Sequence, residues 1–278
     1  MQRSTSKVYK VVIYSLLGLL SVFCLLPYYW AVVTSLKIER DIFTAVPELI
    51  PNPPTLKHYI NLWGTHDFVR VAFNSVIVAT GTTAVCLLVG TFAGYALGRL
   101  KFPGSHQMLI VILCTQLVPG ALLVVPLYLI IASLGLLDTH GGLIFTYLSF
   151  SLGFSVYMLR GYFRTVPKNL EDAAMIDGCS RISAVFRVII PLSSPGLAAV
   201  AIYTFILAWD EFMFANVLTD TTFARTLPVV LNMQIGEYST EWGMLMASSV
   251  VLATPVVVLF IFLQRWLVQG LTAGAIKG

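Results

Sequence analysis

Charge is what this sequence has least of. Asp, Glu, Lys and Arg make up 11% of its 278 residues, where a water-soluble domain carries about a quarter. With 58% hydrophobic residues beside that shortage, an ordinary soluble domain is excluded and a membrane protein is expected. Cysteine is also scarce: Cys24, Cys86, Cys114 and Cys179 form no C-x-x-C pair, which argues against a disulfide framework and against a structural zinc site. Three of the four lie in apolar runs and read as small buried hydrophobes. The histidines (His58, His66, His106 and His140) are scattered without metal-ligand spacing, so no metal site is expected. There is no GxxxxGK followed by Ser or Thr, no HExxH, no GxSxG and no dinucleotide-binding glycine fingerprint. The chain is therefore not read as an enzyme, and no cofactor or nucleic acid is expected to bind it. Whatever drives it must come from an ion gradient or from a partner.

What the sequence does have is long uncharged intervals. Six are long enough for a helix of about 20 residues to cross a bilayer: Val11–Leu36, Val71–Gly98, Phe102–Leu137, Thr139–Leu159, Val188–Trp209 and Trp242–Gln264. Allowing for the turn FPGSH and for the apolar residues beyond Asp210-Glu211, spans are expected at about 11–35, 72–98, 107–132, 140–160, 195–217 and 243–264. The expected fold is thus an all-α integral membrane protein with six transmembrane helices. Placing the N-terminus in the cytoplasm puts 12 of the 17 basic residues inside and 5 outside, so both termini are expected to be cytoplasmic. The basic start could suggest a signal peptide, but the apolar run is too long and lacks a small-x-small cleavage site.

Several features along the spans invite a role. Leu56, Tyr59, Ile60 and Trp63 share one helical face after a proline-rich loop, which suits a short helix at the membrane surface or a packed loop. Gly90, Gly94 and Gly98, at four-residue spacing, form a ridge for close helix packing. Gln116, beside Pro119 and Pro126, either lines a path or ties helices together. In AWDEFMFANVL, Asp210 and Glu211 lie about 21 Å along the fifth span; they face a cavity or reach the outer surface. Gln116, Trp209, Asp210, Glu211 and Asn216 are the candidate substrate path.

The most structured polar stretch is Lys168–Pro191, KNLEDAAMIDGCSRISAVFRVIIP, between the fourth and fifth spans. A short helix is expected over Glu171–Asp177, stopped by Gly178, followed by a basic amphipathic helix over about Ser183–Ile190. Ala173 and Ala174 leave a shallow surface on which another protein can close. On physical grounds the stretch is either a docking element or a loop folded on the membrane surface.

The same residues carry a resemblance. Asp172-Ala173-Ala174, then Gly178, then Pro191, with Asp177 before the glycine, fall at the spacing of the cytoplasmic loop of bacterial ABC importer permeases. NPPTLKHYINLW, AWDEFMFANVL, RTLPVVL and QRWLVQGLTAGAIKG also resemble signatures of the MalG-like carbohydrate branch of that family. One departure is that Asp172 holds the usual glutamate position, with Glu171 before it.

The resemblance implies a type I importer permease fold: one permease domain over 1–278, with its core at about 71–265. It implies a coupling helix that seats Glu171, Asp172, Ala173, Ala174, Asp177, Gly178 and Pro191 against an ATPase, with Gly274, Lys277 and Gly278 of the tail also reaching the ATPase. The implied partners are a MalF-like second permease, two ABC ATPase subunits and an external sugar-binding protein facing segment 219–241. ATP and Mg would be bound by the ATPases. Substrate would be a di- or oligosaccharide or glycoside moved by alternating access, with a polyol or phosphodiester solute, or a gradient-driven carrier, as alternatives.

Overall fold

The computed structural model describes residues 7–236 and 240–275. It is 77% helix, and among the described residues there are no strands, only one isolated bridge between Ile235 and Thr240. Among the described residues four helices can cross a membrane by length and composition, and up to six if two bent helix pairs each count as a span. The chain divides into two compact units, Met1–His66 with Leu231–Thr254 and Asp67–Val230 with Pro255–Gly278.

The first unit opens with α1 (Lys7–Ser35), whose apolar side chains stay exposed along nearly its whole length. This is how a helix bathed in lipid is expected to look. A 3-10 turn at Glu39–Asp41 and α2 (Lys57–Gly64) follow. α2 buries His58 and Leu62 and leaves Ile60 and Trp63 exposed, so the apolar face read from the sequence is the outward one. The Glu39 carboxylate accepts hydrogen bonds from the amides of Trp242 (2.8 Å) and Gly243 (3.2 Å). It thereby caps the first turn of the last helix, α13 (Trp242–Ala275), where unpaired N–H groups favour an anion. His58 Nε2 lies 2.9 Å from the Lys37 carbonyl, and Gly243 is the residue against which its ring packs.

The second unit is built on α3 (His66–Arg99) and α6 (His140–Thr165). The glycine ridge does what its spacing predicts. A Cβ at Gly90 would sit 3.2 Å from Leu159 Cδ1, one at Gly94 3.0 Å from the Arg160 amide nitrogen, and one at Gly98 3.2 Å from the Arg160 carbonyl oxygen. Without side chains at these three positions the backbones can approach closely and gain dispersion contacts, which is what holds helices together in lipid.

Two expected spans are broken. In place of one helix over 107–132 there are α4 (Ser105–Thr115) and α5 (Gly120–Ser133), inclined at 99°. Pro119 is the cause: it has no N–H to continue α4 and it restricts the residue before it to extended backbone. Pro126, by contrast, is tolerated within α5. The fifth expected span, 195–217, is α10 (Ser194–Trp209), a break at Asp210, then α11 (Met213–Leu218). Between α6 and α10 lie α7 (Lys168–Ile176), α8 (Arg181–Ala184), a π-turn at Val185–Ile189 and α9 (Ile190–Leu192). The α8–α9 run meets α10 at 80°. The segment 219–241 contains α12 (Leu227–Met233), with Leu227, Pro228 and Val229 buried.

The cysteines depart in part from expectation. Cys86 is buried, 3.2 Å from Ser151 Oγ, but Cys24 and Cys114 are exposed. In a spanning helix an apolar run faces outward as readily as inward.

Candidate functional site

The 168–191 stretch folds as a compact two-helix element on one end of the second unit. Pro167 precedes α7, and the chain reverses at Gly178, whose φ of +85° is the left-handed conformation that glycine adopts without strain. The turn is closed by bonds from the Asp177 amide to the Ala173 carbonyl (2.9 Å), from Gly178 to Met175 (3.2 Å) and from Cys179 to Ala174 (3.0 Å). These satisfy the last carbonyls of α7, as a left-handed C-terminal cap requires. Ser180 then caps α8, accepting from the Ser183 amide at 3.2 Å.

The proposed contact residues separate into two sets. Ala173, Asp177, Gly178 and Pro191 are exposed, and Asp172 and Ala174 are half-buried. Beside them Ile176 is 85% exposed and Ile182 65%, an apolar surface that nothing in its own unit covers. Glu171 is the exception. It turns inward, 2% exposed, where Tyr95 donates its hydroxyl hydrogen to one carboxylate oxygen and Arg99 Nε donates to the other at 2.9 Å. Arg99 Nη1 also donates to the Val166 carbonyl at 2.8 Å. Removing one member of such a buried pair leaves a stranded charge and costs about 3–5 kcal/mol. Neither Tyr95 nor Arg99 could be picked out from the sequence, because each lies more than 70 residues from Glu171. Under the element, Tyr95, Leu159, Phe163, Val166, Val185, Ile189 and Val200 form a buried core that joins α3, α6, the π-turn and α10.

The five candidate path residues lie at the α4–α5 break, at the end of α10, and just before and within α11. Gln116 sits at the α4–α5 break with its amide against Gly153 of α6, where a Cβ would lie 2.5 Å from Nε2. Trp209 is buried and stacked on Phe205 at 5.6 Å between ring centres. Glu211 uses both oxygens to cap α11, accepting from the amides of Phe214 (2.8 Å) and Ala215 (3.0 Å). Asp210 and Asn216 are exposed.

Residues 87–273 match the family described as binding-protein-dependent transport system inner membrane component. The chain belongs to that family. It is a membrane-embedded transport subunit, a permease. It is 36% identical to the inner membrane ABC transporter permease protein YcjP of Escherichia coli (strain K12), over 94% of each chain. It is 38% identical to the sulfoquinovosyl glycerol transport system permease protein SmoH of Agrobacterium fabrum, over 91% of this chain and 89% of that one. It is 37% identical to the trehalose/maltose transport system permease protein MalG of Thermococcus litoralis, over 94% of each. The fold matches a chain in the crystal structure of a bacterial ABC transporter for alginate import, with a TM-score of 0.82, 21% identity, and 96% and 99% of the two chains covered.

At the other end of α3 the permease holds a second polar cluster that sequence reasoning missed. Asn74 Nδ2 donates to the carbonyls of Thr222 (3.0 Å) and Arg225 (2.9 Å), while its Oδ1 lies 2.8 Å from His140 Nε2. Ser75 Oγ accepts from the Leu227 amide at 2.7 Å. Asp138, itself at φ +54°, accepts from the amides of Asp220 and Thr221 (3.1 Å each) and from the Thr221 hydroxyl (2.5 Å). Residues 219–227 are thus latched to α3 and to the α5–α6 turn. Partial burial alone would raise the Asp138 carboxyl, but the hydrogen bonds from Thr221 and Asp220, with Arg225 nearby, outweigh it and hold the group below the ordinary carboxylate range. A depressed pKa means the latch is fully formed above that ordinary range and is released as pH falls through the lowered value, well below neutrality. Asp138→Ala removes three hydrogen bonds and a residue type suited to left-handed backbone, and is expected to cost roughly 1–3 kcal/mol. Asp138→Asn, which keeps the backbone preference and an acceptor, should lose less, as thermal unfolding of the detergent-solubilised permease would show.

Of the expected tail contacts, Gly274 lies within α13, whereas Lys277 and Gly278 are outside the described residues.

Proposed function

We propose that this permease is one half of the membrane pathway of an ATP-driven carbohydrate importer. The observation that carries the reading is the α7–α8 element, which has a rigid, capped turn at Gly178 and an exposed surface of small and apolar residues beside it. That is the shape of a socketed contact rather than of a loop lying free. The relatives' names supply the substrate class: sulfoquinovosyl glycerol, trehalose and maltose, and diacetylchitobiose are all carbohydrates.

In this reading 168–191 is cytoplasmic, as are both termini, and the chain is a single permease domain with its core over about 71–265. The partners are a second, MalF-like permease, two ABC ATPase subunits that bind ATP and Mg, and an external sugar-binding protein. The permease has no nucleotide site of its own. Asp172, Ala173, Ala174, Asp177, Gly178 and Pro191 meet the ATPase, and Gly274, Lys277 and Gly278 approach it. Glu171 acts from inside its own chain. Along the path Asp210 is the candidate carboxylate, since Glu211 is committed to capping α11.

The test is reconstitution of the permease with the second permease, ATPase and binding protein encoded beside it, in proteoliposomes. Maltose, trehalose, diacetylchitobiose and sulfoquinovosyl glycerol serve as probes. The expected result is ATP-dependent uptake of at least one of them, reduced in Asp210→Asn. Uptake that runs on an ion gradient without ATP would refute the ATP-driven reading, and ATP-driven transport that none of the four sugars stimulates would count against the substrate class.

A further inference from the structure

We propose that Tyr95 and Arg99 are positioning residues that make α7 move as one body with α3. A displacement of α7 is then passed to a span that has no covalent connection to it. The inference rests on the reading of α7 as the ATPase-facing element.

Covalently, α7 is joined to α6 through Val166 and Pro167, and to α10 through α8, the π-turn and α9. α3 enters neither connection. Yet both oxygens of Glu171 are taken by the last turns of α3, one by the Tyr95 hydroxyl and the other by Arg99 Nε at 2.9 Å. The same guanidinium reaches the Val166 carbonyl at 2.8 Å, so a single side chain ties the ends of α3 and α6 to the start of α7. The ion pair is shielded: the Arg99 side chain is 8% exposed and that of Glu171 is 3%. Buried charges of this kind are screened little by salt.

An apolar contact would anchor α7 equally well if stability were the only demand, since buried ion pairs contribute little over well-packed hydrophobes. What a directional clamp on both carboxylate oxygens adds is a fixed rotation of α7 about its own axis. That rotation decides which side chains face outward at Ala173, Ile176 and Asp177. Because the glycine ridge already joins α3 closely to α6, a push on α7 tilts the α3–α6 pair together rather than bending the short Val166–Pro167 link.

The experiment uses the whole reconstituted transporter, with Tyr95→Phe, Arg99→Lys and Glu171→Gln in this permease and, as probe, whichever of the four sugars the wild type takes up. Three quantities are read: ATPase subunit bound per permease, ATP hydrolysed, and sugar moved per ATP. We expect bound ATPase and continuing hydrolysis, with sugar per ATP lowered about tenfold in Glu171→Gln and about threefold in Tyr95→Phe, the range expected for losing a charge-assisted and a single hydrogen bond. An anchor that serves folding alone would reduce the amount of assembled transporter and leave sugar per ATP unchanged, and that result overturns the proposal. If Glu171→Gln or Arg99→Lys does not assemble, Tyr95→Phe, which lacks only a hydroxyl, decides: an unchanged ratio there also overturns it. A wild type that moves sugar without ATP overturns the reading of α7 and this inference with it.

Discussion

Gly178→Val is expected to abolish uptake while leaving the permease inserted in the membrane at its normal level. Two separate costs fall on this position. The first is conformational: at φ +85° a side chain is strained by roughly 1–2 kcal/mol, and a β-branched one by more. The strain falls on the turn that sets α7 against α8, so it alters the element's shape without touching the spans. The second cost is external. A Cβ on Gly178 would meet nothing within 4 Å in its own chain, so added bulk projects into the space that a partner is proposed to fill. Gly178→Asn separates the two, because asparagine adopts left-handed backbone comparatively easily. If strain dominates, Asn restores most of the uptake; if bulk dominates, Asn loses as much as Val and the ATPase no longer co-purifies. Wild-type uptake in Gly178→Val would remove this turn from the coupling surface.

The outline of the molecule was legible in its sequence because the signals that set it are local. Uncharged runs marked the helices, and a four-residue glycine repeat marked one face of α3 for close approach by another helix. Around 168–191, Pro167 and Gly178 spelled out where α7 starts and where it stops, whereas α8 begins at Arg181, before the expected Ser183. The breaks in two expected spans were harder to read. Pro119 and Pro126 look alike in sequence, yet one ends a helix and the other lies within α5. Position decides this, since Pro119 falls at the N-cap of α5 whereas Pro126 has helix on both sides. The Asp210 break depended on Glu211 finding two backbone amides, which looks from sequence like a costly charge in a span. The polar clusters were not legible at all. Tyr95, Arg99 and Glu171, or Asn74, His140 and Asp138, are ordinary residues until the fold carries them across 60 to 80 positions of chain. No spacing rule reaches that far. Glu171 shows the consequence: its neighbours suggest a surface contact, and only the fold reveals that it points inward.

Gly94→Leu is expected to produce the largest loss of folded permease. The site offers no flexible neighbour that can give way. An ideal Cβ at Gly94 would lie 3.0 Å from the Arg160 backbone nitrogen and 3.1 Å from Leu159 Cβ, with the Leu159 carbonyl carbon at 3.3 Å. Two of these three atoms are backbone of α6, so even Gly94→Ala must move one helix against the other, at about 1–3 kcal/mol on the scale of overpacked cores. Leucine adds three more carbons at the same point and has to separate α3 from α6. The separation would spread. The bond from Arg160 Nε to the Leu97 carbonyl (3.2 Å) lies beside it, and Tyr95, the next residue, holds Glu171 together with Arg99, about a turn further along. A thermal midpoint lower by about 2–12 °C is expected for Gly94→Ala in detergent, taking 2–4 °C per kcal/mol for a chain of this size, and no folded protein for Gly94→Leu. The control is Gly161→Leu, on the helix that faces Gly94, where a Cβ would meet nothing within 4 Å. It should fold normally. If Gly94→Leu were as stable as Gly161→Leu, the glycine ridge would not be what joins α3 to α6, and a push on α7 would have no rigid pair to tilt.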